Sequence, residues 1–507
     1  EKENWIKTSQ FIDIEAGIFG VKFDGRFTAV YSDYNFNPDF DKKYFGKVIY
    51  EYQEGATKKD SSFWDKSRPI PLSEEEAVDY VKKDSIRKTR SSKKYLDSID
   101  QKYNKFSVFN LINGYTYRDS FNKKSIGYYG IGRPSYNTVQ GLSLNTGVFY
   151  NKTFYKTDDK DSLNPQRFSI NGNVEYGFSD ERVRPTGSIR YNSWILSGGV
   201  RTRQFNEAEP IDRTINALYT LFLERNFMKI FDQGFLKLRH NRRIAPGLYA
   251  GFNIGYEDRR TLFNETFRTV IGSNNRFTSN DPINPNDETS KTFERHKLMK
   301  ADLGLVYRFG AKVFKYPNFE FDITNQSLPT LRLNFRSAWF SNVSDYDFQS
   351  LDLKLNYYLD LADKGKLGFS TSAGTFIDGD EINFVDFRHF NGNQTKIGTK
   401  SSYLEVFNLL PYYQLSTNDD YFMAHAEYNL EGYLLNKIPL VNKLNYSLVF
   451  SGHILATDRK PYSEWSVGLD NVGFGKFRPF RIDYVRSNIG GVENDGLIIG
   501  LKFLEFL

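Results

Sequence analysis

The sequence has no cysteine, only 3 Met, and no run of 18 consecutive apolar residues. Without cysteine there is no disulfide, no thiol nucleophile and no thiolate-held metal such as a zinc ribbon or an iron–sulfur cluster. Without a long apolar run there is no transmembrane helix. Aliphatic residues are also scarce. Hydrophobic residues make up 39% of the 507, and the mean hydropathy is −0.56. That is lean for the cores of the several soluble domains this length suggests. From Glu1 the chain opens on charged residues without a secretory leader, so it reads as mature or trimmed. Nor does one sign of charge dominate: 68 Lys+Arg against 62 Asp+Glu leave +6, spread throughout, and no nucleic-acid partner is expected.

What the chain does have is rings: 45 Phe, 34 Tyr and 5 Trp, 17% of all residues. A polar mean with many aromatics suits a transmembrane β-barrel, whose lumen is wet and whose aromatics form girdles at the two membrane interfaces. Alternation supports this. From Arg167, the residues Phe168, Ile170, Gly172, Val174, Tyr176 and Phe178 alternate with Arg167, Ser169, Asn171, Asn173 and Glu175. Farther on, Leu351, Leu353, Leu355, Tyr357 and Leu359 alternate with Asp352, Lys354, Asn356, Tyr358 and Asp360. Comparable runs start at Met299 and Leu331. A period of two puts each set on its own face of a strand. A soluble sandwich also alternates, but these runs are about 10–13 residues long, where soluble strands usually have about 5–6 and spanning strands need about 9–11.

Sixteen strands are predicted: 137–151, 166–178, 184–192, 194–205, 215–225, 234–244, 248–259, 295–309, 328–341, 347–361, 365–378, 419–432, 443–456, 463–473, 477–487 and 496–507. An even number lets both ends close on the periplasmic side. Connections on one side are mostly short, such as Ala245-Pro246-Gly247, Asp363-Lys364 and Gly475-Lys476, with 310–327 an exception that the pattern does not explain. On the other side lie Asn264 to Glu294 and Gly379 to Asn418. Long loops outside and short turns inside is the asymmetry of an outer-membrane barrel.

Residues 1–135 differ. Trp5 to Tyr34 has strand-like stretches that begin abruptly, and 37–70 is loop-like. Ser73-Glu74-Glu75-Glu76 has capping-box form, with Ser73 as N-cap and Glu76 at N3, and predicts a polar helix to about Ser91. A further turn would be seated by Tyr95, Leu96 and Ile99. The helix reads either as a solvated linker or as an arm for a partner.

Local chemistry is thin. His240, His296, His389, His425 and His453 are scattered, none in a metal-binding spacing. No nucleophile elbow or phosphate-binding loop is present. Asp419-Asp420 and the group Asp158, Asp159 and Asp161 read as solvated loops rather than Ca²⁺ sites. No catalytic residue, cofactor or metal is expected. The distinctive segment runs from Asp386 to Thr395 and includes Arg388, His389, Asn391, Gly392, Asn393 and Gln394, dense in donors and acceptors. Lying in a long loop, it either folds back into a wet lumen or closes the extracellular mouth.

Several segments carry a resemblance. Phe63-Trp64, Arg68-Pro69-Ile70-Pro71-Leu72 and Tyr95-Leu96-Asp97-Ser98 are among them, as are Tyr136-Asn137-Thr138-Val139-Gln140-Gly141-Leu142, His389-Phe390-Asn391-Gly392-Asn393-Gln394-Thr395 and Leu434-Leu435-Asn436-Lys437-Ile438-Pro439-Leu440. Together they resemble a Bacteroidota outer-membrane family labelled as carboxypeptidase-regulatory-like, with a C-terminal domain of unknown function. The likeness spans nearly the whole chain and implies no peptidase activity. In that family a regulatory-like β-sandwich and a signal peptide come first, and neither is seen in this sequence.

The closing strands are more distantly similar to the BamA and TamA assembly superfamily. The segments concerned are Ser466-Val467-Gly468-Leu469-Asp470, Arg478-Pro479-Phe480-Arg481-Ile482-Asp483-Tyr484 and Leu497-Ile498-Ile499-Gly500-Leu501. In that superfamily a Val-Arg-Gly-Phe-like loop plug pairs with an Asp on the thirteenth strand. Here Arg388 near Asn391-Gly392 stands for the first and Phe450-Ser451-Gly452-His453 for the second, so the ion pair is absent or rebuilt. The resemblance implies weak pairing of the first and last strands, with Gly141, Gly147 and Gly500 loosening that seam. A cross-link between 137–151 and 496–507 would then block function.

The expectation is therefore an all-β chain, a transmembrane antiparallel β-barrel of about 16 strands with a small mixed periplasmic N-terminal portion. Residues 1–60 form the tail of a periplasmic β domain, 61–135 a linker with a helix and entry to the barrel, and 136–507 the barrel. Its place would be the outer membrane of a Gram-negative cell, in contact with lipid, lipopolysaccharide and other outer-membrane or periplasmic proteins. Its role would be insertion or export of proteins, or else that of a passive pore or a docking subunit of a larger secretion or uptake complex.

Overall fold

The computed structural model describes residues 5–502 apart from 19–20, 42–44, 53–54, 56–58, 133, 156–164, 273–276, 317–318, 344–345, 401 and 476. Asp158, Asp159, Asp161 and the last five residues lie outside the described residues. The chain divides into two units, Glu1–Ser91 with Val313–Phe321, and Ser92–Lys312 with Asp322–Leu507.

In the first unit β1 (Ser9–Ile18) and β2 (Val21–Val30) form an antiparallel hairpin. β3 (Val48–Glu51) follows, then helices α1 (Ser61–Ser67) and α2 (Glu74–Ser91). The capping box ahead of α2 is formed in both directions: Ser73 N donates to Glu76 Oε2 at 2.9 Å and Glu76 N to Ser73 Oγ at 3.2 Å. No residue of α2 is buried. Its caps and pairs four residues apart, such as Asp84 with Lys88 at 2.8 Å, support a solvated helix.

The second unit contains helices α3 (Lys93–Tyr103) and α4 (Asn110–Asn113), then β4 (Tyr115–Asp119), β5 (Lys124–Tyr128), β6 (Ser135–Asn137), β7 (Gly141–Phe154), β8 (Gln166–Gly177), β9 (Arg182–Tyr191) and β10 (Trp194–Gln204). Helix α5 (Arg213–Leu223) leads to β11 (Ile230–Ala245), β12 (Leu248–Thr261) and β13 (His296–Arg308). Next in the chain come β14 (Lys312–Tyr316) and β15 (Phe319–Ile323), which fall largely in the first unit; the second unit resumes with β16 (Thr330–Trp339), β17 (Phe348–Asp360), β18 (Lys366–Asp378), β19 (Ile397–Gly398), β20 (Tyr421–Asn429), β21 (Ser447–Ala456), β22 (Tyr462–Phe474), β23 (Phe477–Ile489) and β24 (Val492–Leu501). Strands β14 and β15 account for the long connection 310–327. They form a separate small sheet in the order β15-β14-β3, with β14 parallel to β3.

Nineteen of these strands make one sheet in the cyclic order of a barrel, with β24 beside β4. Successive long strands pair antiparallel from β7 to β24. β5 and β6 both pair with β7, from Lys124↔Lys152 to Asn137↔Gly141, and so form one interrupted stave. With that stave counted once and the short β4 and β19 set aside, sixteen staves result.

Two expectations are corrected here. The predicted strand 215–225 is helix α5. Asp212 caps it, accepting from Thr214 N and Ile215 N, and Glu224 ends it in the left-handed conformation. Its alternating Ile215, Ala217, Tyr219 and Leu221 imitate a strand, but the cap decides. The first stave, in turn, lies at 124–137, inside the segment read as a linker, so the barrel starts earlier than residue 136. Gly127, Gly130, Gly132 and Pro134 break its alternation and hid it.

The barrel wall reverses the polarity of a soluble protein. On β17 the outward Leu351, Leu353 and Leu355 are 36%, 44% and 41% exposed, whereas the inward Ser350 and Asn356 are buried. On β23 the outward Ile482 and Tyr484 are exposed, and the inward Arg481 and Asp483 are 1% and 0% exposed. A belt of apolar side chains this wide is not left facing water. It matches the lipid face of a membrane barrel, with charge turned to the lumen. Trp194 stacks on His240 at 4.1 Å and Trp465 meets Tyr484 edge-on at 6.0 Å on this outer surface.

Candidate functional site: a long loop seated in the lumen

Residues 379–420 join β18 to β20 on the rim of the long loops. They fold inward, so the first of the two expected placements is the one found. The segment is held by charge, by backbone hydrogen bonds and by apolar packing.

The charge cluster centres on Asp386, at the end of a short 3-10 turn capped by Asn383. Arg259 on β12 donates to Asp386 through both terminal nitrogens, one at 3.0 Å, and Lys300 on β13 donates at 3.1 Å. Lys300 also reaches Glu207 at 2.8 Å, Glu207 accepts from Arg336 at 2.8 Å, and Arg336 donates to Asp302 at 3.0 Å. Burial pushes the Asp386 carboxyl up, but Arg259 and Lys300 outweigh it and hold the group down to about 2. A buried carboxylate needs that compensation.

Carboxylates of the wall hold the loop backbone. Glu464 on β22 accepts from Asn408 N at 2.6 Å, Leu409 N at 3.0 Å and the Tyr462 hydroxyl at 2.7 Å. Glu427 on β20 accepts from Tyr403 N at 3.2 Å and Ser402 Oγ at 2.8 Å. The loop returns the pattern with Glu405, which pairs with Lys354 at 2.6 Å and accepts from Asn356 at 2.6 Å. Beneath these, Phe390, Phe407, Leu410 and Leu415 of the loop pack with Tyr421, Leu455 and Tyr462 of the wall in one buried cluster.

At its far point the loop forms β19, which pairs in parallel with β24: Ile397 opposite Ile499 and Gly398 opposite Gly500. Ile499 N donates to Lys396 O at 3.0 Å. The Arg481 guanidinium lies 4.1 Å from the Tyr403 ring centroid. A Cβ at Gly398 or at Gly500 would collide with the Tyr403 hydroxyl, so the two glycines make room for the ring where loop and strand meet.

The residues singled out in the sequence mostly build the loop itself. Both ring nitrogens of His389 are engaged, by Ser416 Oγ at 2.7 Å and Phe384 O at 2.9 Å. Burial pushes its pKa down to about 4, so the ring is neutral at pH 7. Asn391 O accepts from Phe407 N at 2.8 Å. A Cβ on Gly392 would strike the Leu410 carbonyl. Asn393 Oδ1 accepts from Thr395 N at 3.0 Å, and Gln394 Oε1 from Tyr412 N at 3.2 Å. Arg388 reaches the wall weakly, 4.0 Å from Asp352 and 5.0 Å from the Tyr421 ring.

The seam assignment is corrected in part. Because 124–137 precedes it, β7 is the second stave, and Gly141 and Gly147 lie on β7 between the interrupted first stave and β8 rather than at the seam. Gly500 does lie on the outer edge of the last strand, where it meets β19. The loop-to-wall ion pairs join Asp386 of the loop to Arg259 on β12 and Lys300 on β13, and Arg388 of the loop weakly to Asp352 on β17, so they lie away from Phe450-Ser451-Gly452-His453 on β21. The sequence places Asp386 at the head of the distinctive segment but gives it no role of its own, and Glu464 and Glu427 carry no local signal beyond a full charge at an inward position of a spanning strand.

Among the scattered histidines, His425 and His453 come together, with Nδ1 atoms 2.8 Å apart, so one ring donates to the other. Among the described residues no group of three His, Asp or Glu side chains is placed to hold a metal ion.

The model of a family of unknown function, DUF5686, matches residues 109–469 through its C-terminal domain. The chain belongs to the DUF5686 family. The match covers the staves from β5 to β21 and the seated loop. No curated protein matches this DUF5686 chain. Among solved structures it is similar to BamA from Haemophilus ducreyi lacking POTRA domains 1–3, at 11% identity and a TM-score of 0.36, covering 97% of this chain and 90% of that one. It is also similar to CdiB from Acinetobacter baumannii, at 11% identity and a TM-score of 0.33, over 74% of this chain and 59% of that one. A third is OpdK from Pseudomonas aeruginosa with vanillate, at 9% identity and a TM-score of 0.31, over 74% and 96%.

Proposed function

We propose that this DUF5686 protein is an integral barrel of the outer membrane of a Gram-negative cell and handles client polypeptides during insertion or export, at the outer edge of β24. The exposed apolar belt supports the membrane placement, with lipid and lipopolysaccharide against it. The pairing of β19 with β24 carries the rest. An edge that accepts a strand from the protein's own loop has the hydrogen-bonding groups and the space to accept one from a client. Other outer-membrane or periplasmic proteins are partners in this reading, and no reaction is assigned to the protein.

The direct test replaces Ile397 and Ile499, which sit opposite each other, by cysteine (I397C/I499C) in this cysteine-free chain. Opposed strand residues are close enough for a disulfide. Oxidation is expected to abolish delivery of clients to the outer membrane, measured by proteomics of that membrane, and reduction to restore it. A locked barrel with full activity dismisses the mechanism.

The alternative is a passive pore or docking subunit, favoured by the cavity of about 880 Å³ left beside β7–β10. Planar-bilayer conductance separates the two. A large steady current with no client defect on depletion selects the pore.

A further inference from the structure

A second cavity, of about 450 Å³, lies toward the short-turn rim of the lumen. Arg239, Asn241, Asn253, Arg308, Arg332 and Asn334 line it. The register shows how it is built. Gly251 of β12 stands opposite Gly304 of β13, and the row continues to Asn241 on one side and Asn334 on the other. Two adjacent glycines leave the floor without side chains. Rows on either side bring in the arginines: Arg239 opposite Asn253, and Arg332 opposite Val306, with Arg308 one step farther along the same face.

The charges here do not cancel. On the neighbouring staves inward Arg259, Lys300 and Arg336 are each matched by an acid. The acid lining this cavity, Asp302, is already taken, by Arg336 at 3.0 Å and Asn253 at 3.1 Å. Among the described residues Arg239, Arg308 and Arg332 make no ion pair, and Arg308 rests 5.2 Å from the Tyr249 ring. Unmatched like charges repel, and a cleft with low-dielectric walls concentrates their field. Guanidinium forks and amide N–H groups fit the oxygens of a phosphate or carboxylate. The volume is that of a small-molecule site.

We propose that this cavity binds a small solute through an oxyanion, phosphate or carboxylate. The proposal stands apart from the handling of polypeptides, since it concerns the opposite rim of the barrel from the seated loop's entry.

The test uses the full chain in detergent micelles, titrated calorimetrically with inorganic phosphate and with acetate, each at constant ionic strength set by sodium chloride. Saturable binding of either anion is expected. R332Q and R308Q are expected to weaken it about tenfold each. N334D puts a carboxylate two residues from Arg332 on the same face. It is expected to abolish binding while raising the melting temperature, because it relieves the repulsion. K437Q, in an exposed loop, is expected to bind as the parent does. Absence of saturable binding of both anions, or unchanged affinity in N334D, overturns the proposal.

Discussion

The lumen has two unlike walls. Along β20–β24 the inward side chains are clamped to a loop: Glu427 and Glu464 hold its backbone, Arg481 covers Tyr403, and Leu455 and Tyr462 join its apolar cluster. Along β7–β10 the inward Asn173, Glu175, Arg201 and Arg203 face a cavity of about 880 Å³. Both walls alternate in the same way and carry the same residue types. What differs is whether a second segment displaces the water. A charge against water costs little and contributes little. The same charge enclosed by protein must be matched, and once matched it fixes the position of its partner.

Three outcomes would sharpen or break this contrast. The largest is expected from Asp386→Asn, which leaves Arg259 and Lys300 enclosed without their shared acid. It should destabilise the barrel by about 3 kcal/mol, read as the shift in urea midpoint by heat-modified gel mobility. A loss within experimental error would show that the seated loop is wet after all.

The next concerns pH. His389 has a pKa held down to about 4 in the folded loop against about 6.5 when unfolded. The unfolded form therefore binds the extra proton between these values. Stability is complete above about pH 6.5 and falls by about 1.4 kcal/mol per pH unit on acidification toward pH 4. Protease sensitivity of residues 379–420 should rise over that window, and the trend should vanish in His389→Gln.

The smallest effect is expected on the open wall. Arg203 pairs with Glu209 at 2.9 Å, both in reach of water. Arg203→Gln should cost less than about 1 kcal/mol in the same urea assay. A cost matching that of Asp386→Asn would erase the distinction between the walls.

Legibility in the sequence followed the range of the interaction. Fifteen of the sixteen predicted strands correspond to staves of the barrel, because alternation is a local property written every two residues. The exception, 215–225, has the alternation but also Asp212 at the N-cap, and a cap bonded to Thr214 N and Ile215 N outweighs a short apolar pattern. The missed stave at 124–137 has no alternation to read. Its two halves are brought into one stave by β7, which offers a continuous edge to both. Within the long loop, His389 and Asn391 to Gln394 attracted notice through their density of polar groups, and they do organise the loop. Asp386 heads the same segment, but its particular role is not legible there, since it comes from Arg259, 127 positions away.

By itself the sequence determined that this is a barrel with apolar residues turned outward and charges inward, because a strand sorts its side chains onto two faces without help from any other segment. The tertiary structure alone decided which inward charges are enclosed and which stay wet. It also decided which glycines open space for a ring, Gly398 and Gly500, and what occupies the edge of β24. Those outcomes depend on where a long loop comes to rest, and that position is set by partners drawn from many strands and loops at once, a sum that no local pattern encodes.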